Sequence, residues 1–268
     1  MIRYVDKGLE TTLQSFVDRS DISACRIACL LQSYGTGYGF ADFYLQLDEE
    51  ERPVSAAAKY YSDMTVMLTS DSDIDELGGF IEMTSPASVL LAGDVLKDRD
   101  NDALCQRLNA RSCEECIIMK LRTIPEAYVD NDDMVSDPEL RDIWELLHIC
   151  DGDGIKAPSW EDFLLDMSHR LRHGTAMIRA LVRENKPAGV AMTVALSERC
   201  ALIGAVAVSP RYRRQGIGAS CMRALCSALA LAWTTDIYIL RERDRNEDFY
   251  SSLGFEAAGK ALIINRAD

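Results

Sequence analysis

The sequence predicts a mixed α+β protein in which mostly antiparallel strands are flanked by helices. Segments with helical spacing and apolar runs of strand length follow one another in a similar order twice along the 268 residues. Short turns join consecutive strands in each half, which favours antiparallel pairing. With 48% hydrophobic residues the chain can bury a sizeable core, and its length suits two domains of ordinary size.

In the N-terminal half, the pattern predicts two helices, three strands, a helix and a fourth strand. In that order, the elements span residues 9–16, 22–32, 40–47, 54–61, 64–69, 73–83 and 88–92. Residues 125–136, which contain the run Asp130-Asn-Asp-Asp133, form the predicted linker. The predicted domains are therefore residues 1–130 and 131–268.

In the C-terminal half, two helices precede an antiparallel meander of three strands. A helix, a strand and a short helix follow the meander. The elements before the short helix span residues 138–150, 160–173, 177–183, 187–196, 201–208, 219–233 and 235–240.

The loop after the third meander strand has the chemistry of a phosphate site. It contains Arg213-Arg-Gln-Gly216-Ile-Gly218. In the first turn of a helix, backbone N–H groups lack intrahelical partners and lie at the positive end of the helix dipole. Glycines there leave room for an anion, so the loop suits a pyrophosphate. Taken alone, it is explained equally well as a glycine turn that caps a core helix.

Two other phosphate motifs do not fit this loop. A P-loop needs Lys followed by Ser or Thr after its last glycine, whereas Ala219 and Ser220 follow here. A dinucleotide fingerprint needs a third glycine, where Cys221 stands, and an acid at the end of the next strand, where Arg241 follows.

The loop and its flanks resemble the acetyl-CoA-binding motif of the GNAT (Gcn5-related) N-acetyltransferases. The preceding strand ends in Val206-Ala-Val208-Ser-Pro, and residues 246–255 are similar to the family's second signature, a short helix with a Tyr that ends at Leu-Gly-Phe. The resemblance covers about residues 135–268 and implies the GNAT fold there, with acetyl-CoA as cosubstrate. The residues it assigns to cosubstrate binding are Val206, Val208, Arg213, Arg214, Gln215, Gly216, Ile217, Gly218, Asn246 and Tyr250.

The N-terminal half resembles a degenerate GNAT-like domain. Its element order repeats, but the junction between the third strand and the helix, residues 69–76, holds four acids and no glycine. Carboxylates there repel a pyrophosphate and instead cap the helix. We expect an accessory domain that binds no CoA.

For catalysis, the resemblance assigns the general acid to Tyr250 and an oxyanion-stabilising backbone N–H to Val208. A phenol, with a pKa near 10, is protonated at neutral pH and suits a thiolate leaving group. A core aromatic on a short helix is the alternative explanation of Tyr250. The base stays open among Glu198, a water relay and a residue of the N-terminal half.

The predicted reaction is transfer of an acetyl group from acetyl-CoA to a primary amine of a small molecule or peptide. The net charge of −14 is divided into −11 for residues 1–130 and −3 for residues 131–268. This distribution excludes nucleic acid as the main partner and favours a cationic acceptor. An acyl-CoA-binding sensor or scaffold without turnover is the alternative, and a homodimer stays open.

Other features predict no metal, membrane or export function. The chain has no apolar run of about 18 residues and no leader pattern, so we expect a cytoplasmic protein with reduced cysteines. Cys113 and Cys116 form a lone C-x-x-C pair, and His169 and His173 are flanked by arginines, so neither pair predicts a metal site. A second arginine cluster, Arg241, Arg243 and Arg245, suits either phosphate contact or a charged turn.

Overall fold

The computed structural model describes residues 1–92, 98–123, 133–152, 157–232 and 236–266. It contains two compact units, each assembled from separate stretches of the chain. The first unit comprises Met1–Met119, Leu240–Arg245 and Ala257–Asp268, and the second comprises Lys120–Ile239 and Asn246–Glu256. Both units combine helices with mostly antiparallel strands, which confirms the predicted α+β class.

The first unit contains four helices and seven strands in its described residues. Its elements are β1 (Ile2–Tyr4), α1 (Glu10–Val17), α2 (Ile22–Tyr34), β2 (Ala41–Leu47), β3 (Pro53–Tyr60), β4 (Asp63–Leu68), α3 (Ile74–Thr84), β5 (Ser88–Ala92), α4 (Asp98–Arg107), β6 (Ala110–Leu121) and β12 (Phe255–Arg266). The strand order is β1-β2-β3-β4-β5-β12-β6. The strands and helices predicted for residues 9–92 are each found within two residues of their predicted ends.

Two apolar clusters cover opposite faces of this sheet, because side chains alternate along each strand. Helices α1 and α2 pack Leu13 and Ile27 against Phe43 and Leu45, all of them buried. The second cluster joins α3, through Ile81, to residues of β4, β5 and β12. Burial on both faces explains why these strands are rich in apolar residues.

The C-terminal strand lies in the first unit rather than with the residues that precede it. Ala261–Asn265 of β12 pair antiparallel with Ser88–Ala92 of β5. The sequence predicts contiguous domains of residues 1–130 and 131–268, and this division places β12 in the C-terminal domain. Apolar alternation marks a strand in the sequence, but it does not identify the neighbouring strand.

One disulfide contradicts the expectation that all cysteines are reduced. Cys105 in α4 is bonded to Cys113 in β6, eight residues further along the chain. Cys116, the other half of the C-x-x-C pair, is buried with a free thiol, and desolvation raises its pKa to about 11.

The second unit has four strands that pair antiparallel in series and a fifth that runs parallel to its neighbour. Its elements are β7 (Met134–Val135), α5 (Leu140–Ile149), α6 (Trp160–Arg172), β8 (Ile178–Arg183), β9 (Lys186–Leu196), β10 (Cys200–Val208), α7 (Ile217–Leu231), β11 (Asp236–Glu242) and α8 (Glu247–Ser251). β10 lies between β9 and β11, and it pairs antiparallel with β9 and parallel with β11. The predicted elements again agree within two residues. Residues 125–132 of the predicted linker lie outside the described residues, and Met134–Val135 pair with β8.

Helices cover both faces of this second sheet. Ile143 of α5 and Phe163 of α6 pack against Val190 and Ala207 of the strands. Gly189, next to Val190, faces the other side, where Ile217 of α7 packs. Within the described residues, no helix combines the length and the apolar character that crossing a membrane requires.

Candidate active site

The last residues of β10 depart from regular strand geometry. β10 pairs with β11 only from Cys200 to Ile203, and its later residues pair with β9. The register against β9 shifts between Gly204 and Ala207, and Ala205 has a φ of +53°. A bulge of this kind bends a strand and re-aims its groups, and bulges are common next to active sites. Val206, a predicted contact of the cosubstrate, lies within this bulge.

The loop after β10 is fixed to the ends of β9 and β10. The Ser209 N–H donates to the carbonyl of Ala188 at 2.9 Å, and the Tyr212 N–H donates to Ser209 at 2.8 Å. Pro210–Tyr212 form a single 3-10 turn. Arg213 Nε then donates to the Val208 carbonyl at 3.2 Å, so the loop folds back on the strand that it leaves.

Gly216 begins α7 in a conformation that favours glycine. Its φ is +79°, in the left-handed region, and a Cβ placed on it would meet no atom within 4 Å. An L-residue would be strained here and would project a side chain into open space above the first helical turn. The backbone N–H groups of that turn have no intrahelical acceptors. This geometry fits an anion cradle and therefore the pyrophosphate of CoA.

Gly218 packs closely against two other elements of the second unit. A Cβ on Gly218 would lie 3.2 Å from Cγ2 of Val208 and 3.6 Å from Cζ of Phe249. Its missing side chain thus makes room for these protein atoms, and its contact with an anion stays a prediction. Gly189 on β9 does the same for Ile217, whose Cγ2 would be 2.5 Å from a Cβ at position 189.

The loop arginines differ in their surroundings. Arg211 forms two hydrogen bonds of 2.8 Å to the carboxylate of Glu184. Arg213 and Arg214 are exposed, and Arg214 has a φ of +62°. Gln215 is also exposed and donates from Nε2 to the Arg211 carbonyl at 3.4 Å. Arg211 is therefore ion-paired with a carboxylate, and Arg213 and Arg214 are the other two arginines of the loop.

The second arginine cluster lies at the end of β11 and just after it, in the stretch Leu240–Arg245 that belongs to the first unit, and it contacts other protein groups. Arg241 is buried and donates from Nη1 to the carbonyls of Glu242 and Arg243. Arg243 is 3.8 Å from Glu115, and Arg245 is 3.1 Å from Glu242. Of the two explanations offered by the sequence, these pairs favour the charged turn.

The second signature forms α8, the Asn246 N-cap before it and the turn after it. Asn246 has a φ of +59° at the N-terminus of α8, and its carbonyl accepts from the Tyr250 N–H at 3.1 Å. Tyr250 is half-buried, and its ring makes edge contacts with Phe249 and Phe255. Burial raises the pKa of its phenol, so the hydroxyl is protonated at neutral pH. Because Phe249 lies beside Gly218, the structure brings the two sequence motifs together.

Glu198 is too far from the loop to serve as the base. It is exposed in the turn between β9 and β10, before Cys200, whereas the loop begins after Val208. A strand rises about 3.3 Å per residue, so this end of β10 is roughly 25 Å from Val208. The carbonyl of Val208 accepts from Arg213 and from the Cys150 thiol at 3.4 Å, and its N–H stays the predicted oxyanion donor.

Sequence reasoning missed three residues of this site: Glu184, Gly189 and Phe249. Phe249 stands within a quoted motif but was not singled out, and Gly189 interrupts an apolar strand, which is a signal of close approach. Glu184 has no sequence signal, because its contact with Arg211 spans 27 residues.

The matching helix N-terminus of the first unit is acidic, as the sequence predicts. Asp73 caps α3 by accepting from the Glu76 N–H at 3.0 Å. The buried Gln46 donates to the Asp73 carbonyl and to Glu76. A cavity of about 430 Å³ adjoins this cap, and its acidic lining residues are Asp48, Glu49, Glu51, Asp71, Asp73 and Glu76.

Comparison with known proteins identifies the domain that carries the site. Residues 140–255 match the model of the acetyltransferase (GNAT) family. This segment is a GNAT acetyltransferase domain. It contains the bulge of β10, the loop, α7 and α8. No curated protein sequence matches the chain.

Solved structures extend the GNAT fold over the whole chain. A Drosophila protein superposes with a TM-score of 0.70 at 11% identity, covering 98% of both chains. A GCN5-related N-acetyltransferase from Sphaerobacter thermophilus gives 0.61 at 12% identity, covering 100% of this chain and 96% of its own. A tandem GNAT protein from the clavulanic acid biosynthesis pathway gives 0.59 at 11% identity, covering 98% and 97%. The GNAT fold predicted from the two motifs is confirmed.

Proposed function

We propose that the protein transfers an acetyl group from acetyl-CoA to a primary amine. The GNAT domain implies acyl transfer from an acyl-CoA. The observation that carries the proposal for this chain is the left-handed Gly216 at the start of α7, with open space where a side chain would stand. A helix N-terminus of this form accommodates a pyrophosphate close to its backbone N–H groups.

Acetyl-CoA, when bound, supplies a thioester carbonyl and a thiolate leaving group. Tyr250 holds a proton on its hydroxyl because burial raises its pKa, and it is our candidate to protonate the departing sulfur. The Val208 N–H is our candidate to stabilise the negative charge that develops on the carbonyl oxygen. The sequence of β10, Cys-Ala-Leu-Ile-Gly-Ala-Val-Ala-Val, contains no acid or histidine. We therefore assign deprotonation of the incoming amine to water.

The acceptor that we propose is cationic. Residues 1–130 carry a net charge of −11, and six carboxylates line the cavity beside α3. A field of this sign raises the local concentration of cations and accelerates their association. Polyamines, aminoglycoside-like compounds and lysine-bearing peptides have the required charge and a primary amine.

One observation favours a second candidate, an acyl-CoA-binding sensor or scaffold without turnover. The strand beside the loop supplies no base, and Glu198 lies at its other end. A protein with this site could bind CoA through the loop and still leave the amine protonated and unreactive.

A thiol-release assay separates the two candidates. Purified protein is incubated with acetyl-CoA and a panel of primary amines, while CoA binding is measured by calorimetry. Binding together with amine-dependent release of thiol supports the transferase. Binding without release for any amine of the panel supports the sensor, and absence of binding contradicts both.

A further inference from the structure

Glu184 and Arg211 form an ion pair beside the pyrophosphate loop. The two guanidinium nitrogens Nη1 and Nη2 each lie 2.8 Å from one carboxylate oxygen. Glu184 stands at the tip of the turn between β8 and β9, with a φ of +53°. Arg211 belongs to the 3-10 turn, two residues before Arg213. A bidentate pair of this kind fixes the direction of the guanidinium.

The pair is linked to the loop through the backbone and side chains of the 3-10 turn. The Arg211 carbonyl accepts from Gln215, which immediately precedes Gly216. The guanidinium also lies 5.2 Å from the centre of the Tyr212 ring. Glu184 therefore places a negative charge next to the loop and neutralises one of its three arginines. Both side chains are about two-thirds exposed, 67% for Arg211 and 65% for Glu184, so a phosphate can compete for Arg211.

We propose that Glu184 sets the affinity of the loop for the pyrophosphate of CoA by acting as the internal counter-ion of Arg211. The inference rests on the proposed function, because it assumes that the loop binds CoA. With Glu184 present, the pair contributes no net charge at the loop. Without it, Arg211 adds one positive charge and turns its guanidinium to the anion.

Four proteins test this inference by calorimetry with CoA at about 0.1 M salt: the parent, Glu184→Gln, Arg211→Gln and the double variant. We expect Glu184→Gln to bind CoA about threefold more tightly, since a unit charge within a Debye length of the ligand changes its affinity by a small factor. Arg211→Gln should bind about threefold more weakly, because Glu184 is then uncompensated. The double variant should return to the parent affinity.

A purely structural role for the pair predicts a different result for Glu184→Gln and for the double variant. If the pair served to hold the loop in shape, Glu184→Gln, Arg211→Gln and the double variant would all bind CoA more weakly than the parent, which overturns the inference. Glu198→Gln is the matched control, because it removes the same charge at the far end of β10 and should leave the affinity unchanged. A gain of equal size in Glu198→Gln would also overturn it.

Dephospho-CoA and the parent protein complete the test. The tighter binding of Glu184→Gln should persist with dephospho-CoA, which keeps the pyrophosphate and lacks the 3′-phosphate. A gain confined to CoA would contradict the assignment to the pyrophosphate. A parent that binds no CoA defeats the proposed function and this inference together, whereas a parent that binds CoA with no gain in Glu184→Gln defeats this inference alone.

Discussion

Gly218 and Val208 approach so closely that a Cβ on the glycine would lie 3.2 Å from Cγ2 of the valine. Val208 is the last residue of β10, and Gly218 stands in the first turn of α7. Phe249 of α8 approaches the same glycine, so the strand, the helix and the second signature meet at one point. The loop between β10 and α7 is therefore held at both ends by packing rather than by its own sequence.

Gly216→Val should abolish CoA binding. The valine would occupy the open space that the phosphate oxygens need, and a β-branched residue at a φ of +79° adds strain of roughly 1–2 kcal/mol. Calorimetry with CoA measures the loss, and circular dichroism shows whether the variant is folded.

Gly174→Val is the control for backbone strain. Gly174 has a φ of +69°, also has no atom within 4 Å of its Cβ position, and lies after α6. We expect a comparable loss of stability with CoA affinity unchanged. A folded Gly216→Val protein that binds CoA as tightly as the parent would contradict the cradle.

Tyr250→Phe should lower kcat about 10²–10⁴-fold and leave the affinity for CoA unchanged. The hydroxyl acts on the sulfur only as the bond breaks, and loss of a general acid has this magnitude. Steady-state kinetics and calorimetry measure the two quantities. Tyr61→Phe, which removes an exposed hydroxyl in the first unit, should change neither. An unchanged kcat in Tyr250→Phe would return Tyr250 to the core-aromatic explanation.

The kcat of the parent should also depend on pH through this phenol. Burial raises the pKa of Tyr250 above its ordinary value near 10, and the acid is active only while protonated. The alkaline loss of kcat that belongs to Tyr250 should therefore begin above pH 10 and be absent from Tyr250→Phe. A loss that begins below pH 10 and disappears in that variant contradicts the effect of burial.

The positions of helices and strands could be predicted because periodicity is a local property of the chain. Each element predicted between residues 9 and 92, and each one after residue 138, agrees with the structure within two residues. The position of Gly216 at the start of a helix could also be predicted, because a strand and a loop precede it and a helical pattern follows it. The burial of Tyr250 could not be predicted, since the fold brings its aromatic neighbours together.

Pairings between distant residues could not be predicted, because no local pattern encodes them. β12 pairs with β5, about 170 residues earlier in the chain. The contact of Glu184 with Arg211 depends on where the turn after β8 ends in space. Gly218 is recognisable as a motif glycine, but its neighbours Val208 and Phe249 come from two other elements.

Gly189→Ala should destabilise the protein by about 1–3 kcal/mol. The added Cβ would lie 2.5 Å from Cγ2 of Ile217, which forces α7 away from β9, and overpacking of this kind has that magnitude. Chemical denaturation measures the change. In an Ile217→Ala background the methyl group is gone, so the added cost of Gly189→Ala should shrink. An equal cost in both backgrounds would show that Ile217 is not the obstacle.

The disulfide between Cys105 and Cys113 should stabilise the protein by about 2–3 kcal/mol, the range expected for a short loop. Of the nine cysteines, seven should titrate with a thiol reagent after denaturation without reductant, and nine after reduction. Reductant should lower the Tm of the parent and have no effect on Cys113→Ser. Titration of nine thiols before reduction would show that the bond is absent from the protein.

The first unit should bind no CoA, which gives one CoA per chain. The N-terminus of α3 is occupied by the carboxylates of Asp73, Asp75 and Glu76, so an anion meets repulsion there instead of a cradle. Calorimetric stoichiometry tests this directly. Two equivalents of CoA per chain would contradict it, and Gly216→Val, which removes the site in the second unit, would then retain one equivalent.

The acidic side chains of the first unit should attract a cationic acceptor, and this attraction should weaken as salt is added. At 0.1 M ionic strength the Debye length is about 10 Å, so raising the salt to 1 M, where it is about 3 Å, screens the charge of −11 on residues 1–130. The KM of a cationic amine should rise while the KM of a neutral amine of similar size stays level. Neutralising Asp71 and Glu49 to Asn and Gln, at two positions lining the cavity, should flatten part of that salt response. A KM that does not change with salt for either amine would show that the acidic unit does not steer the acceptor.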